Sequence, residues 1–355
     1  MILRIDAAEL RAILRPLTKV QSDTVVFDQD CAYSLGQDAG VLVRDAKLNA
    51  EGKQATFSVE AKELFSILSP LAGLVELNST DKGFFIKAGR AKFQLAWKTS
   101  DAGQSLFAFP PKARIVDLKK LKDALAFVAP IPTKSALFDW SGSIQVTPQG
   151  VTATDGARIA VISTQHGPDP FLIPAACAGL VADFDAEQDT AVSVGASTVL
   201  FRNGSRHVFI RQLAKKYPNT ASHWPKEIAR EYRVETKAFR DSIKRVFSCV
   251  PTDDHNRITL VLNGEGIQIS AKKGTGEAED ELDAELLFPD TVFEEAGQFT
   301  MNFDAQFLLD FLDRVTDAHT FVRLGKNPAD TAAGPTLMVL EAGNKKTLMA
   351  PLSDQ

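Results

Sequence analysis

The chain has 355 residues, of which 45% are apolar and 24% charged, and its net charge is −5. It is too long for one typical core, so two or three globular domains are expected, and the charge balance excludes a molecule that is basic throughout. Cys31, Cys177 and Cys249 show neither metal-ligand spacing nor the even count of a disulfide framework, which points to a reducing cytoplasm.

In chain order, the opening MILRIDAAELRAILR has acids where a signal peptide needs an apolar core, and no later run reaches membrane-spanning length. A soluble cytoplasmic protein with no membrane partner is expected. The first predicted helix is DAAELRAILRPL from Asp6, with Leu10, Leu14 and Leu17 on one stripe, the offsets of four and three that a helix face requires. Gly40 leads a predicted strand. FSVEAKELFSIL from Phe57 reads as a strand entering a second helix, LVELN (74–78) as a strand, and IKAGRAKFQLAW as a glycine-centred hairpin.

The same order then returns twice. DLKKLKDALAFV from Asp117 places Leu121, Leu125 and Val128 on a stripe, and ETKAFRDSIKRV from Glu235 does so with Phe239, Ile243 and Val246. Gly150 and Gly266 precede Val- or Ile-rich strands, as Gly40 does. FLIPAACAGLVADF from Phe171 and FTMNFDAQFLLDFL from Phe299 repeat the strand–helix entry. AVSVG (191–195) and FVRLG (321–325) repeat the strand, and LFRNGSRHVFIR and VLEAGNKKTLMA repeat the hairpin. Each first helix opens near an acid, where the helix dipole favours one.

A period of about 110–140 residues is too long for a solenoid or propeller blade, whose repeats run roughly 20–50 residues. It suits an α+β fold of three homologous domains, each with two helices packed on antiparallel sheet. Proline and charge interrupt the pattern at PPKARI (110–115) and WPKEIAREY (224–232), which sets the expected domains at 1–112, 113–230 and 231–355.

The polar sides of the three first helices share a basic arc. Stepping about 100° per residue from the first apolar position, Arg11 and Arg15 fall together, with Lys19 beyond them if the helix persists past Pro16. Lys119 and Lys122 occupy that arc in the second repeat, and Lys237, Arg240 and Lys244 in the third. Asp123 and Asp241 lie near its border. A solvated face accounts for any one of these helices. Three in an acidic chain suggest a shared polyanion, met through phosphates rather than bases. The stretch ATDGARIAVIS (153–163) leaves two readings open: a catalytic Asp155–Arg158 pair, or a hairpin turn built on Asp–Gly. His166, His207, His223, His255 and His319 show no ligand spacing, and no glycine-rich phosphate loop occurs. No enzyme activity, metal or cofactor is expected.

Four segments, in order on this threefold repeat, resemble a known family. ATDGARIAV is similar to the A-T-D-G-H-R-L-A motif of the bacterial DNA polymerase sliding clamps, the beta subunits of the replicative polymerase. GRAKFQL (89–95), KKYPNT (215–220) and the C-terminal TLMAPL (347–352) are similar to three further segments of that family. The resemblance covers essentially the whole chain. It implies a head-to-tail homodimer whose six domains close a ring, with the first helix of each domain lining a hole for duplex DNA held without sequence preference. Polymerase and clamp loader would dock through short hydrophobic peptides in a pocket formed by Thr154, Gly156, Arg158, Ile159, Pro218, Leu348, Met349, Pro351 and Leu352, with Trp140 reached only across a gap. Asp155 is then a turn former rather than a catalyst. Phe109 and Leu282 are the candidate dimer-interface residues, with ordinary core packing as the other reading. The acidic EAEDELDAE (277–285) would lie outside the hole and discourage DNA from adhering to the rim. Ala157, Ser222, His223, Ala350 and the PLSDQ tail depart from the family pattern, which suggests a divergent or phage-encoded member with its own peptide preference. The rival expectation is a clamp-fold interaction scaffold that does not encircle DNA.

Overall fold

The structure is a computed structural model that describes residues 2–28, 30–48, 56–80, 82–100, 103–110, 114–132, 140–164, 168–248, 256–273, 276–288, 298–326 and 336–353. Cys249, His166, His255 and part of the PPKARI boundary lie outside them. The chain forms two compact units, Met1–Ala126 with His166–Ala214 and Phe127–Gln165 with Lys215–Gln355. Helices are mixed with antiparallel strands in both.

The six α-helices among the described residues are α1 (Ala7–Leu14), α2 (Ala61–Leu68), α3 (Leu118–Val128), α4 (Ala178–Ala182), α5 (Thr236–Phe247) and α6 (Ala305–Leu312). Asp6 caps α1, its Oδ1 accepting the amides of Ala8 (2.8 Å) and Glu9 (3.4 Å). Asp117 accepts Lys120 N at 3.1 Å and Glu235 accepts Ala238 N at 2.9 Å. The three leading acids therefore satisfy amides that a helix start leaves without partners. The stripes pack inward: Leu10, Leu14, Leu125, Val128, Phe239 and Ile243 are all buried. One expectation needs correction. The first helix does not persist past Pro16; α1 ends at Leu14 and Arg15–Lys19 is a 3₁₀ turn, because proline takes away an amide and crowds the preceding turn. The strand–helix entry of the middle repeat is present, Phe171–Pro174 leading through a 3₁₀ turn at Ala175–Cys177 into the short α4.

In the first unit, one sheet runs in the order Ile2–Asp6, Leu74–Thr80, Gly83–Ala88, Ala91–Leu95. The other runs Arg114–Val116, Thr190–Val194, Thr198–Asn203, Arg206–Arg211, Ala39–Arg44, Cys31–Leu35, Thr24–Asp28, Phe57–Glu60, Trp97–Thr99. The second unit carries, in order, Ser143–Thr147, Gly150–Thr154, Arg158–Ser163, Lys345–Met349, Leu337–Ala342, His319–Gly325, Ile228–Glu235, Gly276–Phe288, Gly266–Lys273, Arg257–Asn263 and Gln298–Asp304. The three repeated hairpins turn on Gly89, Gly204 and Gly343 at φ of 57°, 54° and 55°, a left-handed conformation that glycine adopts without steric cost. The earlier glycines are not equivalent to one another. Gly150 and Gly266 open the second strand of their meanders, a place held by Cys31 in the first repeat, whereas Gly40 lies on the third strand.

Two strand pairs join successive repeats with one register. Arg206–Arg211 lies antiparallel on Ala39–Arg44, with Phe209 opposite Gly40. Lys345–Met349 lies antiparallel on Arg158–Ser163, with Leu348 opposite Ile159. Matching backbone bonds close both ends: Arg44 N to Ser205 O (2.9 Å) and Arg211 N to Asp38 O (2.7 Å) in the first, Ser163 N to Asn344 O and Ala350 N to Ala157 O (both 3.0 Å) in the second.

Candidate functional site

The ATDGARIAV turn is organised by its own side chains. Asp155 Oδ1 accepts the amides of Ala157 and Arg158, both at 3.0 Å, and Thr154 Oγ1 donates to the Arg158 carbonyl (2.7 Å) while accepting Gly156 N (3.2 Å). Gly156 sits at φ 98°, where a Cβ would be strained. Asp155 is thus a turn former. Arg158 reaches away from solvent: Nε donates to Asp155 Oδ2 (3.0 Å), Nη1 to Asp310 Oδ2 on α6 (2.7 Å), and the guanidinium lies 3.9 Å from the Phe307 ring centroid. The Arg158, Asp155 and Asp310 side chains are 6%, 9% and 10% exposed. This is a buried ion cluster with no group presented for proton transfer.

Beside this turn the second unit has a pocket of about 280 Å³. The structure brings Trp140, Thr154, Gly156, Arg158, Ile159, Pro218 and Leu348 to its walls, together with Ala157, Thr220, His223, Leu337 and Ala350. Met349, Pro351 and Leu352 are not among them. Met349 alternates with Leu348 along its strand and is fully buried on the opposite face, as pleating requires. Pro351 and Leu352 lie half-buried beyond the pocket, where Leu352 N donates to Asn302 O at 2.7 Å. The floor is apolar, with Ile159, Leu337, Val339 and Leu348 in one buried cluster against which Trp224 packs. Trp140 stands edge-on to Tyr217 at 6.4 Å, and burial raises the Tyr217 pKa, so that wall stays an uncharged phenol. Leu337 lies on the first strand of the VLEAGNKKTLMA hairpin, just ahead of that run, and so escapes a reading that follows the TLMAPL segment alone.

The basic arc divides into tied and exposed cations. Arg11 Nη1 donates to the carbonyls of Leu68 (2.8 Å) and Leu71 (2.5 Å) at the end of α2. Lys122 Nζ donates to Phe184 O (2.9 Å), just past α4. Arg240 Nε lies 4.0 Å from Asp313, the C-terminal cap of α6, which also receives Lys244 at 2.7 Å. Arg11, Lys122 and Arg240 hold the same place after their N-capping acids, and each ties its helix to the end of the second helix of its repeat. Arg15 and Lys119 are exposed. Lys237 is exposed with Asp241 at 3.2 Å, and Lys19 contacts Asp183 at 2.5 Å. Replacing Arg11 by glutamine should lower the stability of the first unit by about 1.5–3 kcal/mol, the worth of charge-assisted bonds to carbonyls; a denaturant midpoint equal to wild type would refute that tie.

Phe109 is half-buried, its ring edge-on to His207 at 6.2 Å and beneath Arg202 at 5.0 Å. Leu282 is 7% exposed, so its side chain belongs to the core of its own chain. Burial lowers the His207 pKa, assisted by Arg44 and Arg202 and opposed by the Phe107 carbonyl near Nδ1. A depressed histidine contributes stability that is complete above about pH 6.5, the ordinary imidazole value, and is lost as pH falls toward the depressed one. The His207→Asn variant should therefore lose less stability than wild type on acidification from pH 7.5 to pH 5.5, as read by paired thermal melts.

Among the described residues, no helix is long and apolar enough to cross a membrane and no group of three or more His, Cys, Asp or Glu is placed to hold a metal ion. No family model and no curated protein matches the sequence. Solved structures do. The chain is similar to a DNA polymerase sliding clamp from Pseudomonas aeruginosa (15% identity, all of both chains covered, TM-score 0.84). It is similar to a DNA polymerase sliding clamp from Bacillus subtilis (18%, all of both chains, TM-score 0.81). It is also similar to a DNA polymerase III beta chain from Streptococcus pneumoniae (14%, 99% of this chain and 100% of that one, TM-score 0.83). The chain has the sliding-clamp fold.

Proposed function

We propose that the chain is a DNA sliding clamp, a non-catalytic processivity factor of the cytoplasm that closes around duplex DNA as a head-to-tail homodimer and tethers polymerase and clamp loader through a peptide pocket. The observation that carries this reading is the coincidence, on a full-length clamp fold, of an apolar pocket at the ATDGARIAV turn with basic first helices in all three repeats. The three domains are 1–112, 113–230 and 231–355. Retention is topological, and sliding follows because phosphate contacts carry no sequence information.

The pocket is suited to a short apolar segment. Its walls are mainly hydrophobic, and Thr220 and His223 are the polar groups able to set the segment's direction. Arg158 acts as a positioning residue, holding the turn from behind through Asp155 and Asp310.

The tied cations favour the scaffold alternative enough to require a direct test. Protein loaded on a nicked circular duplex should stay on it during gel filtration and be lost when the circle is linearised. Equal retention on both forms, or on neither, refutes encirclement and leaves the scaffold.

A further inference from the structure

We propose that the Ile2–Asp6 strand is a docking edge for an extended segment of a partner protein, which adds to it as an antiparallel strand and sets a carboxylate beside Arg4. The proposal does not rest on the clamp reading. It comes from a place that the third repeat fills with its own chain and the first repeat leaves open.

The two repeats share a frame. Ala7 N donates to Gly73 O at 2.8 Å and Thr236 N to Ala318 O at 2.9 Å, so Arg4 corresponds to Arg233, Ile5 to Val234 and Leu3 to Tyr232. The meanders pair Cys31 with Arg44 and Gly266 with Asp283, so Asp45, Ala46 and Lys47 correspond to Ala284, Glu285 and Leu286. In the third repeat those residues stay extended and pair with Val234, Arg233 and Tyr232, and Arg233 Nη2 donates to the Glu285 carboxylate. In the first repeat Asp45 turns the chain away. Its Oδ1 accepts Lys47 N and its carbonyl accepts Leu48 N, both at 2.9 Å. This winds Ala46–Leu48 into a 3₁₀ turn and buries Leu48.

The diverted chain leaves a groove of about 510 Å³ between Ile2–Asp6 and Ala46–Lys47, with Leu74 at one end. Among the described residues, Leu74–Thr80 is the only strand paired with Ile2–Asp6. Antiparallel neighbours bond at alternate residues. With Ala7 bonded to Gly73, Leu3 and Ile5 bond to that neighbour, while Ile2 and Arg4 turn N–H and C=O toward the groove. An extended peptide satisfies those groups, as in strand addition at other sheet edges. The side chains narrow its chemistry. Ile2, Arg4 and Leu74 share the exposed face, with Ile2 37% and Leu74 66% exposed. Arg4 holds Glu76 at 2.9 Å, and its guanidinium has donors left for a second carboxylate. The groove's own acids are engaged, Asp6 by the amides of Ala8 and Glu9, and Glu9 by Lys47 at 2.9 Å. The fitting segment therefore carries an acid opposite Arg4, between apolar residues. The stretch that fills the equivalent place in the third repeat, LDAELLF (282–288), has this pattern.

The probe is a synthetic LDAELLF peptide titrated into the full chain, with amide hydrogen exchange as the second readout. In the free protein the Arg4 amide should exchange faster than those of Leu3 and Ile5, and saturating peptide should slow it by about tenfold or more. Methylating the backbone nitrogen of the peptide's glutamate, which donates to the Arg4 carbonyl, should abolish binding. Methylating that of the next leucine, which points away, should not. A peptide with lysine for the glutamate should bind about tenfold more weakly, and the Arg4→Glu variant should reverse that preference; the Arg4 side chain is 62% exposed, so the change leaves the core intact. An Arg4 amide already protected in the free protein means that its own chain fills the place, and overturns the proposal. Absence of binding overturns it too. So does binding that ignores Arg4→Glu and the methylation site, which puts the peptide elsewhere, the pocket at the ATDGARIAV turn included.

Discussion

Replacing Arg158 by alanine is expected to cost the second unit about 3–5 kcal/mol, because removing one member of a buried ion cluster takes a charge-assisted bond from each of two buried carboxylates. Asp155 would lose its Nε bond and Asp310 its 2.7 Å bond from Nη1, both carboxylates staying about nine-tenths buried. Asp310 keeps Gln306 Nε2 at 3.0 Å and the Arg314 guanidinium at 3.6 Å, the second too long for a hydrogen bond. The loss also reaches the pocket, since Thr154 Oγ1 donates to the Arg158 carbonyl and Ile159 is the next residue on the strand. Two readouts separate the effects. Chemical denaturation should show a lower midpoint, and affinity for an apolar clamp-binding peptide should fall under conditions where the variant is still folded. Asp310→Asn should be milder, because it removes one buried charge yet keeps an acceptor. A midpoint within about 0.5 kcal/mol of wild type, the range of ordinary surface substitutions, would sink the account of Arg158 as the brace of the turn.

The second large effect concerns DNA. Lys119 and Lys237 are exposed on the first helices of the second and third repeats, and Arg15 is exposed on the 3₁₀ turn that follows α1, whereas Arg11 and Lys122 are committed to carbonyls. Reversing the exposed three to glutamate changes three sites per chain and twice that number in a dimer. Each lost phosphate contact flattens the dependence of log affinity on log salt by about 0.9, so duplex binding at low salt should fall by orders of magnitude while peptide binding is retained. The Asp241 contact of Lys237 does not oppose this, since an exposed pair at 3.2 Å is worth at most about 1 kcal/mol. Unchanged affinity and slope in the triple variant would move DNA binding away from these helices and strengthen the scaffold alternative.

What the sequence disclosed was local in origin. Asp6, Asp117 and Glu235 stand at helix starts where their chemistry requires them, and the hairpin glycines sit at turns that demand positive φ. The pocket turn was legible because Thr154, Asp155 and Gly156 satisfy one another within five residues of chain. The rest depended on partners far along the chain. Nothing near Arg11 indicates that its guanidinium ends on carbonyls 57 and 60 residues away, and nothing near Arg158 indicates Asp310, 152 residues on. A helical wheel sorts residues by angle alone, so it gave tied and exposed cations the same standing. Leu282 shows a related limit: it lies within an acidic run yet faces the core, because strand alternation turns every second residue inward. Gly40 resembles Gly150 and Gly266 in the residues that follow it, although the meander places it one strand later.

The aromatic residues around the pocket make it optically observable. Of the three tryptophans, Trp140 lines the cavity and Trp224 packs against its apolar floor, while Trp97 lies in the first unit with its indole N–H donating to Thr80 O at 3.0 Å. A peptide that fills the cavity desolvates the Trp140 indole on its wall and leaves Trp97, which is not among the lining residues, as it was. The intrinsic emission of the unlabelled protein should therefore shift to the blue on occupancy, with Trp97 as an internal reference, and a Trp140→Phe variant should remove much of the signal.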